Sequence, residues 1–363
     1  MEKSNSRNGW IDLWRFIASL CVICVHFNDQ VRAIDLWPFT TQLMPGGYLW
    51  VEFFFIVAGY YAVAHVSRWP QGEAPERKIG AYMWKKYKFF LAVAGPYVVL
   101  EYVSNNAWAH LDIVGWIRIC LSMPTEVLLL KGTNANPYSV AIAMWFLSSL
   151  LIAMPIVLLL ATRFSGAFKN YLVWLLAPVC YGLVLREHMC LGSVSPPEGF
   201  LRAMAGLCLG AGLFYITQSL RRYTFTKRAR VLLTVCEVGA MLGAFSLAAV
   251  SFISEDSRDM GFVQLVAVSL GITFLGQSGT SHIKGRALTY LGKLSFPLYC
   301  WHSLVIEQVE NIAIRVPMSV AQQRIAVFVC SILVACFVLW FVEKVLPRLG
   351  KALGTFLIEA KHG

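Results

Sequence analysis

The residues best placed to do chemistry sit inside an apolar run. Residues 10–27 read Trp-Ile-Asp-Leu-Trp-Arg-Phe-Ile-Ala-Ser-Leu-Cys-Val-Ile-Cys-Val-His-Phe, about the length a helix needs to cross a bilayer. The run nevertheless carries Asp12, Arg15 and His26. Ionisable groups inside a spanning segment are costly, and by default they mark function. Arg15 and His26 are eleven residues apart (26 − 15). At roughly 100° per residue that spacing returns to within about 20° of the starting direction, with the two residues about 16 Å apart along the axis. Each has a plainer reading on its own: Arg15 snorkels to the interface, and His26 is a satisfied polar residue at a helix end. The shared stripe, with an acid one turn before Arg15, favours a working site. An imidazole, whose ordinary pKa is near 6.5, is suited to general-base work.

Three further ionisable residues fall within apolar stretches: Glu52, Arg202 and His302. Taken singly, each reads as a member of a buried salt bridge. In the topology below, all three lie with His26 in the outer half of the bilayer. Arg15 lies near the inner face, close to a basic segment containing Arg68, Arg77, Lys78, Lys85, Lys86 and Lys88. That arrangement predicts a polar chamber opening outward, joined along the first helix to a cationic mouth on the inside. Clusters of Lys and Arg bind phosphate or anionic lipid, although retention of positive charge inside accounts for part of the pattern.

The elements that must position these residues are membrane helices. The 363 residues are 58% hydrophobic and 14% charged, with a mean hydropathy of +0.61. A soluble domain would carry roughly 25% charged residues. The fold class is therefore all-α, a polytopic integral membrane protein. The net charge of +11 needs no nucleic acid to explain it. The ten cysteines lie mostly in apolar runs, so they read as small buried hydrophobes rather than disulfides, and no metal site is indicated. The N-terminal run is too long for a cleaved signal peptide, lacks a small-x-small cleavage site, and is followed by more spans.

Apolar stretches predict about ten spans, near 10–27, 47–66, 87–107, 138–162, 170–186, 199–219, 231–253, 261–280, 287–309 and 322–346. The segment 108–137, broken by Asp112, Arg118, Pro124 and Lys131, reads as an outer loop holding an amphipathic or re-entrant helix. Gly206 and Gly210 form a small-residue seam for close helix approach. The basic runs at 67–86 and 220–230 fall on one side, and the acidic 254–259 loop on the other. This segregation places both termini in the cytoplasm. The whole chain, 1–363, reads as one transmembrane domain with no soluble extracytoplasmic domain.

Several stretches together carry a family resemblance. The first run is similar to the opening of membrane-bound acyltransferase family 3, an Asp-x-x-Arg followed by ten residues and a His, met here by Asp12, Arg15 and His26. Residues 51–60, Val-Glu-Phe-Phe-Phe-Ile-Val-Ala-Gly-Tyr, resemble that family's second-helix pattern, with Ala58 where Ser is usual. Lys85 and Lys88 stand where the family has Arg-x-x-Arg, with Pro96 displaced; Lys makes point-charge rather than forked phosphate contacts. Trp145-Phe146-Leu147 and Leu291-Gly292…Ser295…Tyr299…His302 resemble later family blocks.

The resemblance implies a membrane O-acyltransferase, usually an O-acetyltransferase. It would move an acyl group from cytoplasmic acetyl-CoA to a hydroxyl of a cell-surface or lipid-linked carbohydrate. It would work in the cell inner (cytoplasmic) membrane, without metal. The site that follows gives His26 the role of base, with Glu52 orienting it, and puts Arg15, Arg68, Lys85, Lys86 and Lys88 on the donor's phosphates. Trp145, Arg202, Tyr299 and His302 face the acceptor, with Arg202 also able to stabilise an oxyanion. An acyl-His intermediate is a variant of this scheme. A homo-oligomer is compatible with the sequence. The alternative, a transporter or flippase of an anionic or glycolipid substrate, predicts inverted repeats with broken helices in the two halves, and the sequence shows no such symmetry.

Overall fold

The structure, a computed structural model, describes residues 8–28, 43–69, 74–109, 112–131, 143–250 and 254–348. Every regular element among them is helical: α1 (Gly9–Asn28), α2 (Trp50–Val66), α3 (Pro75–Ala109), α4 (Ile113–Val127), α5 (Met144–Arg163), α6 (Ser165–Ala167), α7 (Val173–His188), α8 (Pro196–Leu220), α9 (Lys227–Ala249), α10 (Glu255–Leu275), α11 (Arg286–Arg315) and α12 (Val320–Trp340). A π-helical turn, Phe168–Leu172, joins α6 and α7 into one rod. Among the described residues, eight rods are long and apolar enough to cross a membrane. Most of the stretch between the first two predicted spans lies outside the described residues, as do residues 1–7 and 349–363.

Polar residues set the helix ends. The Asn8 side chain accepts from the Trp10 amide at 2.9 Å and caps α1. Asp112 accepts from Gly115 and caps α4, Thr226 caps α9, and Ser319 with Gln322 forms a capping box on α12. Each cap satisfies an amide that the first turn would otherwise leave without a partner. Gly276, at φ 78°, closes α10 in the left-handed region, where glycine meets no steric penalty.

Two boundaries differ from the sequence pattern. The basic segment predicted as a loop over 67–86 is helical from Pro75 onward. The acidic segment predicted as a loop over 254–259 forms the first turn of α10. Acidic side chains suit a helix N-terminus, and the last two charges are buried there. Arg258 donates to the Tyr48 hydroxyl at 2.7 Å. The Asp259 carboxylate accepts from that hydroxyl at 2.9 Å and from the Leu191 amide at 2.7 Å. The amphipathic helix predicted within 108–137 is α4, whose Ile113, Ile117 and Leu121 are exposed.

The core is built on α2 packed against α8. A Cβ at Gly210 would collide with the Ile56 carbonyl, one at Gly206 with the Phe55 side chain, and one at Gly59 with the Leu207 backbone. The predicted seam is therefore used, and α2 supplies the opposing glycine. Close approach of this kind holds helices together where lipid removes the hydrophobic incentive. On the other side α1 lies along α11. The Ser19 hydroxyl donates to the Ser295 carbonyl at 2.8 Å, and Asp12 fits only because Gly292 has no side chain. Ile23, Phe27, Leu298, Ile306 and Val327 bury a second apolar cluster between α1, α11 and α12.

Helix starts are staggered in depth. Gly47 packs on the Cys21 carbonyl, and Trp50 stacks on Trp14 with ring centroids 5.6 Å apart. The chain thus enters α2 level with Cys21, about a turn and a half before His26 along α1. The Tyr299 hydroxyl donates to the Ala143 carbonyl at 3.1 Å, so α5 begins inside the bundle beside the middle of α11.

Candidate active site

A cavity of about 760 Å³ lies between α1, α2, α3, α5 and α11. At one end it is lined by Arg15, Lys85, Lys86 and the ion pair of Lys293 with Glu343, 2.8 Å apart. At the other it is lined by the rings of Phe54, Phe146 and Tyr299. The chemistry therefore changes along its length, from a net-cationic end suited to phosphate to an apolar, ring-walled slot. Phe146 and Tyr299 meet edge to face at 5.1 Å, which fixes that wall. Ala58, at the position where the related pattern has Ser, also lines the cavity.

Just past Tyr299 stands a pair of imidazoles. The Tyr299 and His302 rings are 5.9 Å apart, and the His302 and His26 rings 4.8 Å. The pair's tautomers follow from its partners. His302 Nδ1 faces the Tyr299 carbonyl at 2.7 Å. A carbonyl only accepts, so this nitrogen carries the proton and His302 Nε2 becomes an acceptor. His26 Nδ1 faces the Val22 carbonyl at 3.0 Å and His302 Nε2 at 3.2 Å. Both partners accept, so His26 Nδ1 is also protonated and the lone pair of neutral His26 resides on Nε2. That is the tautomer a general base needs, held by two contacts from different helices.

Glu52 belongs to a different group. Its carboxylate accepts from Arg202 Nε at 2.7 Å and from the Tyr181 hydroxyl at 2.7 Å, and both charged side chains are fully buried. Arg202 Nη1 also donates to the Ser193 carbonyl at 3.0 Å, and its guanidinium lies over the Trp145 ring at 4.7 Å. Glu52, Tyr181, Arg202 and Trp145 thus tie α2, α7, α8 and α5 together. The sequence reading gave Glu52 to His26 at a common depth. The partner of His26 is instead His302, and Glu52 lies deeper because α2 starts below the level of His26.

The remaining predicted residues divide between the cavity and the surface. Arg15 pairs with Asp12 at 3.7 Å and lines the cavity. Lys85 and Lys86 line it too. Lys88 is exposed and sits over Trp84, 5.9 Å from the ring. Arg68 is exposed in the turn that follows α2. Neither Lys88 nor Arg68 reaches the cavity wall. Sequence reasoning missed Lys293, although a lysine inside an apolar stretch was the available signal. It also missed Tyr181, one more aromatic in an apolar span with nothing to set it apart.

No curated protein and no solved structure matches this chain. The family model of the acyltransferase domain, acyltransferase 3, matches residues 8–344, a stretch that takes in both imidazoles, the cavity and the buried ion pair. The chain belongs to the membrane-bound acyltransferase 3 family.

Proposed function

We propose that the protein is an O-acetyltransferase that carries an acetyl group from cytoplasmic acetyl-CoA to a hydroxyl of a cell-surface or lipid-linked carbohydrate at the outer face of the inner membrane. One observation carries this reading. A single cavity leads from Arg15, Lys85, Lys86 and Lys293 to Tyr299, whose ring adjoins the His302–His26 pair. The helices α3 and α11, 35 and 30 residues long, are long enough to cross as well. With the eight apolar rods they make ten spans, and the basic 67–86 and 220–230 segments then put both termini in the cytoplasm.

The residues divide the work. Arg15, Lys85, Lys86 and Lys293 meet the donor's phosphates at the inner end. The slot walled by Phe54, Phe146 and Tyr299 takes the uncharged arm and keeps water from the thioester. His26 Nε2 takes the proton of the acceptor hydroxyl as its oxygen attacks the thioester carbonyl. The C–O bond forms, the C–S bond breaks, and the His26 imidazolium returns the proton to the departing thiolate, so the products are the acetyl ester and free CoA. His302 holds the His26 proton on Nδ1 throughout. Arg202 is committed to Glu52 and the Ser193 carbonyl, and its part is to hold α8 against α2 and α5.

The test is transfer of labelled acetyl from acetyl-CoA, supplied on the cytoplasmic side of proteoliposomes, to a panel of sugar acceptors on the other side. Labelled ester on an acceptor, absent in His26→Ala, is the expected result. Transfer that needs the donor on the acceptor's side would overturn the direction. No transfer to any hydroxyl acceptor would overturn the reaction.

A further inference from the structure

The cationic end of the cavity holds more than charge. His65, at the end of α2, stacks on Tyr82 of α3 with ring centroids 5.0 Å apart and planes 23° from parallel. Lys86 Nζ lies over the Tyr82 ring at 4.9 Å. Trp69 and His65 stand nearly perpendicular, with ring centroids 5.7 Å apart and planes at 82°, and Lys78 Nζ lies over Trp69 at 5.9 Å. These rings form a ladder from Lys86 to Lys78, and His65 and Tyr82 both line the cavity beside Lys85 and Lys86. His65 is exposed and lines the cavity, so its ring is accessible to another flat group.

Phosphate recognition alone calls for cations and does not call for stacked rings. A planar imidazole–phenol stack bordered by lysines is the chemistry that recognises a phosphorylated nucleoside, with the base on the rings and the phosphates on the ammoniums. We infer that His65 and Tyr82 form a platform for the purine base of the donor's nucleotide end, seated at the mouth while Lys85, Lys86, Arg15 and Lys293 take its phosphates. This inference rests on the CoA donor proposed above. The platform anchors the nucleotide where it enters, so only the thin uncharged arm passes into the ring-walled slot. Discrimination between CoA and a donor lacking the nucleotide then resides in α2 and α3, away from the imidazole pair.

Calorimetry on the purified full chain tests it with three probes: CoA, adenosine 3′,5′-bisphosphate and 4′-phosphopantetheine. The parent should bind all three, CoA most tightly. Tyr82→Leu and His65→Leu should each weaken CoA and the bisphosphate roughly tenfold, the worth of one base-stacking contact, and leave 4′-phosphopantetheine unchanged. Tyr82→Phe, which keeps the ring, should behave as the parent, and equal melting temperatures show that the fold is intact. If the Leu variants bind CoA and the bisphosphate as the parent does, or lose all three probes together, the platform is overturned and the stack is only packing between α2 and α3. If the parent itself binds no CoA, the donor assignment fails first and takes the platform with it.

Discussion

His302 Nε2 lies 3.2 Å from His26 Nδ1, and the contact joins α1 to α11 across 276 positions of sequence. The Tyr299 carbonyl behind it forces His302 to accept, so the pair has one neutral arrangement, with the basic nitrogen of His26 at Nε2. Removing the base should lower kcat by about 10²–10⁴-fold, the usual worth of a general base. His26→Ala is expected to show that loss with little change in melting temperature. Activity within a few-fold of the parent in a folded variant would sink the assignment.

The partner can be separated from the base by a graded substitution. His302→Gln keeps an acceptor for the His26 proton, and His302→Ala removes it. Gln should therefore retain much more activity than Ala, with the loss in kcat rather than KM because the residue acts through His26. Equal loss in both variants, or a loss confined to KM, would make His302 an acceptor-binding residue instead.

Glu52 and Arg202 are predicted to matter for the fold more than for donor binding. Both are fully buried, and removing one member of a buried pair costs about 3–5 kcal/mol because the other charge is left uncompensated. Glu52→Gln and Arg202→Met should each lower the melting temperature in detergent by a wide margin, and the double variant should recover part of it. CoA affinity per folded molecule should be unchanged. Two singles as stable as the parent would remove the ion pair from the framework.

The glycines of the central seam give a matched pair. Gly210→Ala forces a Cβ against the Ile56 carbonyl and the Tyr60 amide. These are backbone atoms that cannot turn aside, so a loss of about 1–3 kcal/mol or more is expected. Gly239→Ala on α9 meets nothing within 4 Å and should be neutral or mildly stabilising. Thermal unfolding of the two variants side by side checks the packing of α2 on α8 directly.

Much of this was legible in the sequence. The apolar runs give the helices, the eleven-residue spacing puts Arg15 and His26 on one stripe, and Gly206 and Gly210 announce a close contact. The pairings were not legible, for physical reasons. Helix α2 is apolar on every face, so its pattern carries no phase that could aim Glu52. Hydropathy reports that a segment crosses, and says nothing of the depth at which its first turn begins. The packing of Gly47 on Cys21, which no hydropathy pattern encodes, is what sets Glu52 below the level of His26. Lysines spaced along α3 look alike in sequence, and only the position of α2 and α11 decides which of them faces the cavity.

Topology can be tested independently of activity. Arg222→Cys should resist a membrane-impermeant maleimide added from outside and react after permeabilisation, because the 220–230 run belongs to the basic side. Cysteines placed at Ser257, in the first turn of α10, should react from outside. Labelling in the opposite sense at either position would overturn the ten-span arrangement.

On α3, Lys85 and Lys86 line the cavity, whereas Lys88 does not and sits over Trp84. A hydrogen bond to a charged group is worth roughly 1.5–3 kcal/mol, so removing two phosphate partners should cost at least tenfold in affinity. Lys85→Ala with Lys86→Ala is therefore expected to weaken CoA binding by that factor or more, with the effect shrinking at high salt because screening weakens the attraction. Lys88→Ala should bind CoA as the parent does, although it removes the same charge from the same helix two residues farther on. Calorimetry at two salt concentrations distinguishes the cases. Equal losses in both variants would mean that the basic segment acts through its overall field, as positive charge held on the inner side of the membrane, and the cavity would then lose its claim on the donor's phosphates.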